Sequence, residues 1–215
     1  MMQHAPLFIV LLPVSAALLC MLFSRMQKNL GSWIVIGSIA AAFMSAVTVL
    51  QQVIADGGKP IHYWMGNWQP PLGIEFVIDP ISGVLAVLIT FISLLGSLYS
   101  LPFVKEEGWL HIGGYYTLYG LMTVGMCGMV ITGDVFNLYV FLEVMSLSGY
   151  GLIAIGGKKS MLAAFRYLLI GTIGASLYLL GVGYMYALTG TLNMADMAVR
   201  AAQFLDYPIF ALAVA

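Results

Sequence analysis

Apolar residues run along this 215-residue chain in long blocks, separated by short polar or Gly/Pro-containing stretches. Full-length blocks fall near 5–24, 30–54, 80–102, 112–132, 135–156 and 161–187, and a seventh begins over 207–215. Each of the first six reaches the roughly 20 residues needed to cross the hydrocarbon core of a bilayer. Lipid offers the backbone no hydrogen-bond partner, so such blocks must fold as helices. They are unbroken rather than alternating in ten-residue segments, which argues against a transmembrane barrel. The pattern predicts an all-α polytopic membrane protein, one membrane domain over 1–215, with six transmembrane helices plus the start of a seventh.

Two connections carry patterns of their own. Ile61, Tyr63 and Met65 alternate with other residues before Gly66-Asn67, and Ile74, Phe76 and Ile78 alternate after Pro70-Pro71. Period two around a Gly/Asn turn predicts a small β-hairpin. Trp64 and Trp68 suit the headgroup level, where indoles are enriched. Further on, Asn193 is placed to cap a short helix with Asp196 at its third position. Met194, Met197, Ala201, Phe204 and Leu205 share one face of it, and Asp196, Arg200 and Gln203 the other. That face division fits a helix lying in the membrane interface or packed on neighbouring connections.

Composition supports the same class. Hydrophobic residues make up 61% of the chain and charged residues 8%, with mean hydropathy +0.98. Soluble domains carry about a quarter charged residues. Net charge is −1, and without a basic patch no nucleic-acid partner is expected. The few cations set direction. Arg25, Lys28, Lys105, Lys158 and Lys159 lie in one set of connections, and Lys59 and Arg200 in the other. The positive-inside rule makes the first set cytoplasmic, so the N-terminus is expected outside a cell inner (plasma) membrane. No Lys or Arg precedes the first block, which reads as a retained span rather than a cleaved leader.

Candidate chemistry is confined to charges inside the blocks. Glu143 lies about 10 Å along the fifth block from Phe136, at 1.5 Å per residue. A carboxylate there costs several kcal/mol unless it is protonated, paired or hydrated. It reads either as a proton- or cation-binding group or as part of a structural ion pair. Arg166, about 9 Å from Ser160 by the same rise, is either a snorkelling anchor or a positive partner for that carboxylate. Ser146, Ser148 and Tyr150 in the fifth block, with Thr172 and Ser176 in the sixth, form a possible hydrated path beside Glu143; close helix packing is their other use. Asp134 and Asp79 open blocks and read as helix caps, an ion entry point being the other reading of Asp134. Asp56, Glu75, Glu106, Glu107, Asp196 and Asp206 fall in connections and are expected to be solvated. Cys20 and Cys127 have no ligand-spaced partner and read as packing residues. His4, His62 and His111 lack metal spacing, so no metal site is expected. Neither a nucleophile set nor a phosphate-binding loop is present, and no haem, flavin or iron–sulfur ligand set appears. No cofactor and no catalytic residues are expected, and any redox chemistry would belong to partner subunits.

The run Gly-Asp-Val-Phe-Asn-Leu-Tyr-Val-Phe-Leu-Glu-Val-Met-Ser-Leu-Ser-Gly-Tyr (133–150) resembles the fifth helix of the antiporter-like membrane subunits. These are shared by Mrp-type Na+/H+ antiporters (their D subunit especially), the proton-pumping subunits of complex I, and membrane-bound hydrogenases. Phe-Arg-Tyr-Leu-Leu-Ile (165–170) and Leu-Thr-Gly-Thr-Leu-Asn-Met-Ala-Asp (188–196) resemble the family's segments after that helix, and Phe-Val-Ile-Asp-Pro-Ile-Ser (76–82) the start of the third. The resemblance leans toward the Mrp-like branch. It implies that Glu143 is essential to ion translocation. It also implies a partner lysine in a seventh helix, beyond Ala215, and two inverted repeats with broken helices. The chain would then be a truncated, split or partial subunit holding the beginning of the first repeat. The expected function is a membrane subunit of a multisubunit complex that pumps H+ or exchanges Na+ for H+, alongside other membrane subunits in the bilayer. The alternatives are a structural scaffold, or an antiporter-like subunit of a redox-driven complex of the NADH-quinone oxidoreductase or membrane-bound hydrogenase type.

Overall fold

The computed structural model describes residues 4–27, 29–71, 73–104, 109–205 and 207–214. Lys28, Lys105, Glu106, Glu107, Asp206 and Ala215 lie outside the described residues. Six long apolar helices form where the blocks predict them: α1 (Ala5–Met26), α2 (Leu30–Ala55), α3 (Pro80–Val104), α4 (Trp109–Ile131), α5 (Val135–Ala154) and α6 (Lys158–Thr189). The short helix α7 (Met194–Ala201) and α8 (Pro208–Val214) come after them. All six long helices have the length and composition to cross a bilayer, so this is a multi-pass membrane protein. Helix ends depart slightly from the block edges, because caps rather than hydropathy stop a helix.

The caps are local chemistry. At α3, the Asp79 carboxylate accepts the Ser82 backbone N–H at 2.7 Å while Ser82 Oγ accepts the Asp79 N–H at 2.8 Å. This reciprocal box satisfies two otherwise orphaned donors. Hydrogen bonds from the Ser82 backbone and side chain hold the Asp79 carboxyl below the usual carboxylate range. At the far end of α6, Gly190 adopts a left-handed φ of 69° and stops the helix.

The hairpin forms as predicted. Strands β1 (Ile61–Trp64) and β2 (Glu75–Ile78) pair antiparallel in the register Ile61↔Ile78, His62↔Val77, Tyr63↔Phe76 and Trp64↔Glu75. Alternation sends Phe76 and Ile78 into a core with Ile9, Val49, Val53, Cys127 and Ile131. A second core, nearer the other membrane face, joins Cys20, Val35, Ile39, Ile112 and Tyr116. Cys20 and Cys127 are both free and buried, in keeping with their reading as packing residues.

These cores make α1–α4 a tight bundle, with α5 laid on α4 and α6 on α5. Within their most apolar stretches, α1–α4 are 33–44% buried, whereas α5 and α6 are each 11% buried. The two helices that carry Glu143 and Arg166 are therefore the outer layer.

Candidate functional site

The position of α5 is set by two glycines of α4. A Cβ at Gly125 would lie 2.6 Å from the Met145 backbone N, and one at Gly128 would collide with the Phe141 ring. Bare backbone is thus required for α5 to approach α4. Phe141, Met145 and Ser148 form the face turned to α4. At 100° per residue, Glu143 points away from that face and close to the direction of Tyr139 and Tyr150. Those tyrosines face α6. Tyr139 stacks on Tyr178 with centroids 6.4 Å apart, and Tyr150 meets Tyr167 edge-on at 4.8 Å. Tyr178 also donates its hydroxyl proton to the Val135 carbonyl at 3.0 Å. Glu143 is half-buried between these two tyrosine contacts, on the α6 side of α5.

The tyrosine pairs also fix the level of the carboxylate. Interpolating between 139↔178 and 150↔167 places Glu143 opposite Gly174 and Ala175, where a Cβ built on Gly174 meets nothing within 4 Å. Arg166 lies eight to nine residues further along α6, about 12–13 Å along the axis, and its side chain is exposed. Salt bridges among the described residues join His62 to Glu75 and Arg200 to Asp196; Glu143 and Arg166 are in neither. No direct salt bridge joins Glu143 to Arg166 among the described residues. The hydroxyls of the possible path turn back onto their own helices: Ser148 to the Val144 carbonyl, Thr172 to Leu168 and Ser176 to Thr172. Tyr150 packs over Gly171. Ser146 is half-buried near Glu143 on the same helix.

A second constellation was not foreseen. Glu75, expected to be solvated, is only 6% exposed. Its Oε1 lies 2.6 Å from His62 Nδ1 and accepts from Trp64 Nε1 at 3.2 Å, while Oε2 accepts from Asn193 Nδ2 at 2.7 Å. The main chain joins the same knot. The Gly133 N–H donates to the Glu75 carbonyl at 2.8 Å and the Met194 N–H to the Gly133 carbonyl at 2.9 Å. A Cβ on Gly133 would press on the Val77 side chain at 2.7 Å, so a larger residue there would force Val77 to shift. Asp134 caps α5 as expected, its Oδ1 accepting from the Asn137 N–H at 2.7 Å. Burial pushes its carboxyl above the ordinary range, opposed by hydrogen bonds from the Asn137 and Phe136 backbone. Asn193 caps α7, its Oδ1 accepting from Ala195 and Asp196 N–H at 3.1 Å each. His62 and Trp64, two residues apart on β1 and so on one face of the hairpin, with Trp64 opposite Glu75, were the sequence signal. The partner 118 residues away gave none.

Helices of this length, the hairpin over their ends and a carboxylate at mid-span define a polytopic membrane subunit with an intramembrane ionisable group. Residues 132–214 match the family described as NADH:quinone oxidoreductase/Mrp antiporter, TM. The chain is 43% identical over 213 residues to the N subunit of the NADH-quinone oxidoreductase of Desulforudis audaxviator, covering 99% of this chain and 42% of that protein. It is 31% identical to the D subunit of the Na(+)/H(+) antiporter of Alkalihalophilus pseudofirmus, covering 93% of this chain and 40% of that protein. Its fold superposes with TM-score 0.90 and 30% identity on a chain of the membrane-bound sulfane sulfur reductase, an archaeal respiratory membrane complex, covering 99% of this chain and 42% of that one. A chain of the Mrp complex from Dietzia sp. shares the fold with TM-score 0.75 and 24% identity, covering 98% of this chain and 42% of that one. Sequence and fold are thus similar to those of membrane subunits of NADH-quinone oxidoreductase and Mrp antiporter complexes. It spans about two fifths of the length of the relatives it matches. Of the two relatives named, the NADH-quinone oxidoreductase protein is the more similar.

Proposed function

We propose that this chain serves in a membrane subunit of a multisubunit cation/proton-translocating complex, and that Glu143 is the group that takes up and releases the translocated proton or ion. The observation that carries the reading is the placement of Glu143. It is a carboxylate deep in a span, half-buried beside α6, opposite the open space at Gly174. A charge so placed is costly in lipid and persists where it is used. Covering helices from the rest of such a subunit, or from neighbouring subunits, would complete its surroundings. Arg166, exposed and two turns from the Lys158 end of α6, fits the snorkelling anchor better than the ion partner. The 43% identity to a NADH-quinone oxidoreductase protein favours redox-driven proton pumping over Na+/H+ exchange as the source of energy. The chain sits in the plasma membrane with its hairpin face outside, as Arg25, Lys158 and Lys159 gather at the opposite ends of the helices.

The test is Glu143→Gln in the assembled complex. Gln keeps the size, cannot ionise, and is cheaper to bury than a charge, so assembly survives. Dye-reported proton flux in vesicles should fall to that of vesicles lacking the complex. Normal assembly with wild-type flux would remove Glu143 from the translocation step.

A further inference from the structure

The Glu75 knot is built from donors that only a carboxylate satisfies. Asn193 Oδ1 is committed to two backbone N–H groups of α7, so its amide nitrogen must face Glu75 Oε2. Trp64 Nε1 has only a proton to give, and it faces Oε1. Each oxygen of Glu75 therefore meets an obligate donor, with His62 Nδ1 added at Oε1. The charged and titratable groups around the knot come from three elements. His62 faces it from the hairpin, Asp134 lies beside Asn193 at the start of α5, and Asp196 pairs with Arg200 on α7.

The three segments joined are those that hold the hairpin-side end of α5. Thr132 bridges to Phe76, Gly133 to Glu75, Asp134 to Asn193, and Val135 to Leu192. The Tyr178 hydroxyl binds the Val135 carbonyl just below. Few α5 residues are fully buried, most being half-buried between α4 and α6, so this end is a restraint on where Glu143 sits alongside the glycine contacts of α4.

We propose that Glu75 is a positioning residue: through its bond to Asn193 it locks the hairpin, the start of α5 and α7 into one cap that fixes α5, and with it Glu143. The link to transport rests on the role proposed for Glu143; the cap itself does not.

The experiment reverses the polarity of the bond. In Glu75→Gln, an amide meets an obligate donor whichever way it turns. In Asn193→Asp, two carboxylates face each other. In the double variant, the amide introduced at position 75 donates to the carboxylate introduced at position 193. That carboxylate still caps α7, since Asp is as good a cap as Asn. Both variants and their combination are made in the full chain within its complex. Hydrogen exchange is read at the amides of Gly133, Met194, Ala195 and Asp196, and proton flux is read in vesicles. Loss of a charge-assisted hydrogen bond should speed exchange at these amides about tenfold or more in each single variant. Exchange within α1–α3 should stay unchanged, and flux should fall in both singles. The double variant should restore slow exchange and flux together, a recovery that generic structural damage would not give. Unchanged exchange in Glu75→Gln, or no recovery in the double variant, overturns the cap. Accelerated exchange with wild-type flux overturns the positioning role. If Glu143→Gln also leaves flux intact, it is the role of Glu143 that fails, and the exchange data still decide the cap.

Discussion

Gly125→Ala tests whether α5 is held by bare backbone on α4. In an open helical site, Gly→Ala stabilises by about 1 kcal/mol through helix propensity. Gly174 is such a site, with nothing within 4 Å of the added carbon. At Gly125 the same carbon falls 2.6 Å from Met145 N and Cβ and 2.7 Å from the Phe141 carbonyl oxygen. These contacts are roughly 1 Å shorter than ordinary van der Waals separation. Two of the three atoms are backbone, so no rotamer change relieves them and α5 itself must retreat. Such overpacking costs about 1–3 kcal/mol. The two alanine variants should therefore differ by about 1–3 kcal/mol with opposite leanings, which for a chain of this size is about 2–12 °C in Tm. Thermal unfolding of the two variants in one detergent measures this. Because the retreat of α5 also moves Glu143, proton flux should drop in Gly125→Ala and hold in Gly174→Ala. Equal Tm values for the two variants would refute the argument that α5 is positioned by glycine.

Asp79→Ala removes the α3 cap and should cost about 1 kcal/mol near neutral pH. The folded-state pKa of Asp79 is depressed, so its contribution is present above the unfolded-state pKa and is lost as pH falls through the folded one. The Tm gap between wild type and variant should accordingly close on acidification toward pH ~3. Cys20 and Cys127 are buried, so a membrane-impermeant maleimide should leave the native protein unlabelled. Against that silent background, Asp56→Cys should label in intact cells and Lys158→Cys only after permeabilisation. The reverse pattern would invert the orientation.

Much of this molecule is settled by the order of its residues. A helix in lipid satisfies its own backbone, so each apolar block of about 20 residues is a span whatever surrounds it. Caps are equally local. Asp79, Asp134 and Asn193 each bond an amide two or three residues ahead, a relation that spacing alone reveals. Strand alternation in Ile61–Trp64 and Glu75–Ile78 likewise needs only near neighbours. Glu143 was legible because a carboxylate within an apolar run is conspicuous without any knowledge of its contacts.

Tertiary structure decided what depends on which helix touches which. Arg166 and Glu143 look like partners by type and proximity in sequence. The tyrosine pairs between α5 and α6 set a helical register that places Arg166 eight to nine residues along α6 from the level of Glu143. Gly125 and Gly128 could have been flexible, lipid-facing or packed; only the approach of Met145 and Phe141 identifies them as the seat of α5. Glu75 shows the division most directly. Its neighbours in sequence, among turn residues and ahead of Asp79, gave the look of a solvated loop acid. Its burial is imposed by Gly133, which returns to the same side after two further helices, and by Asn193, which returns after four. Local pattern fixes hydrogen bonds that close within one turn or one hairpin. Bonds that close over 118 residues exist only once packing has brought their ends together.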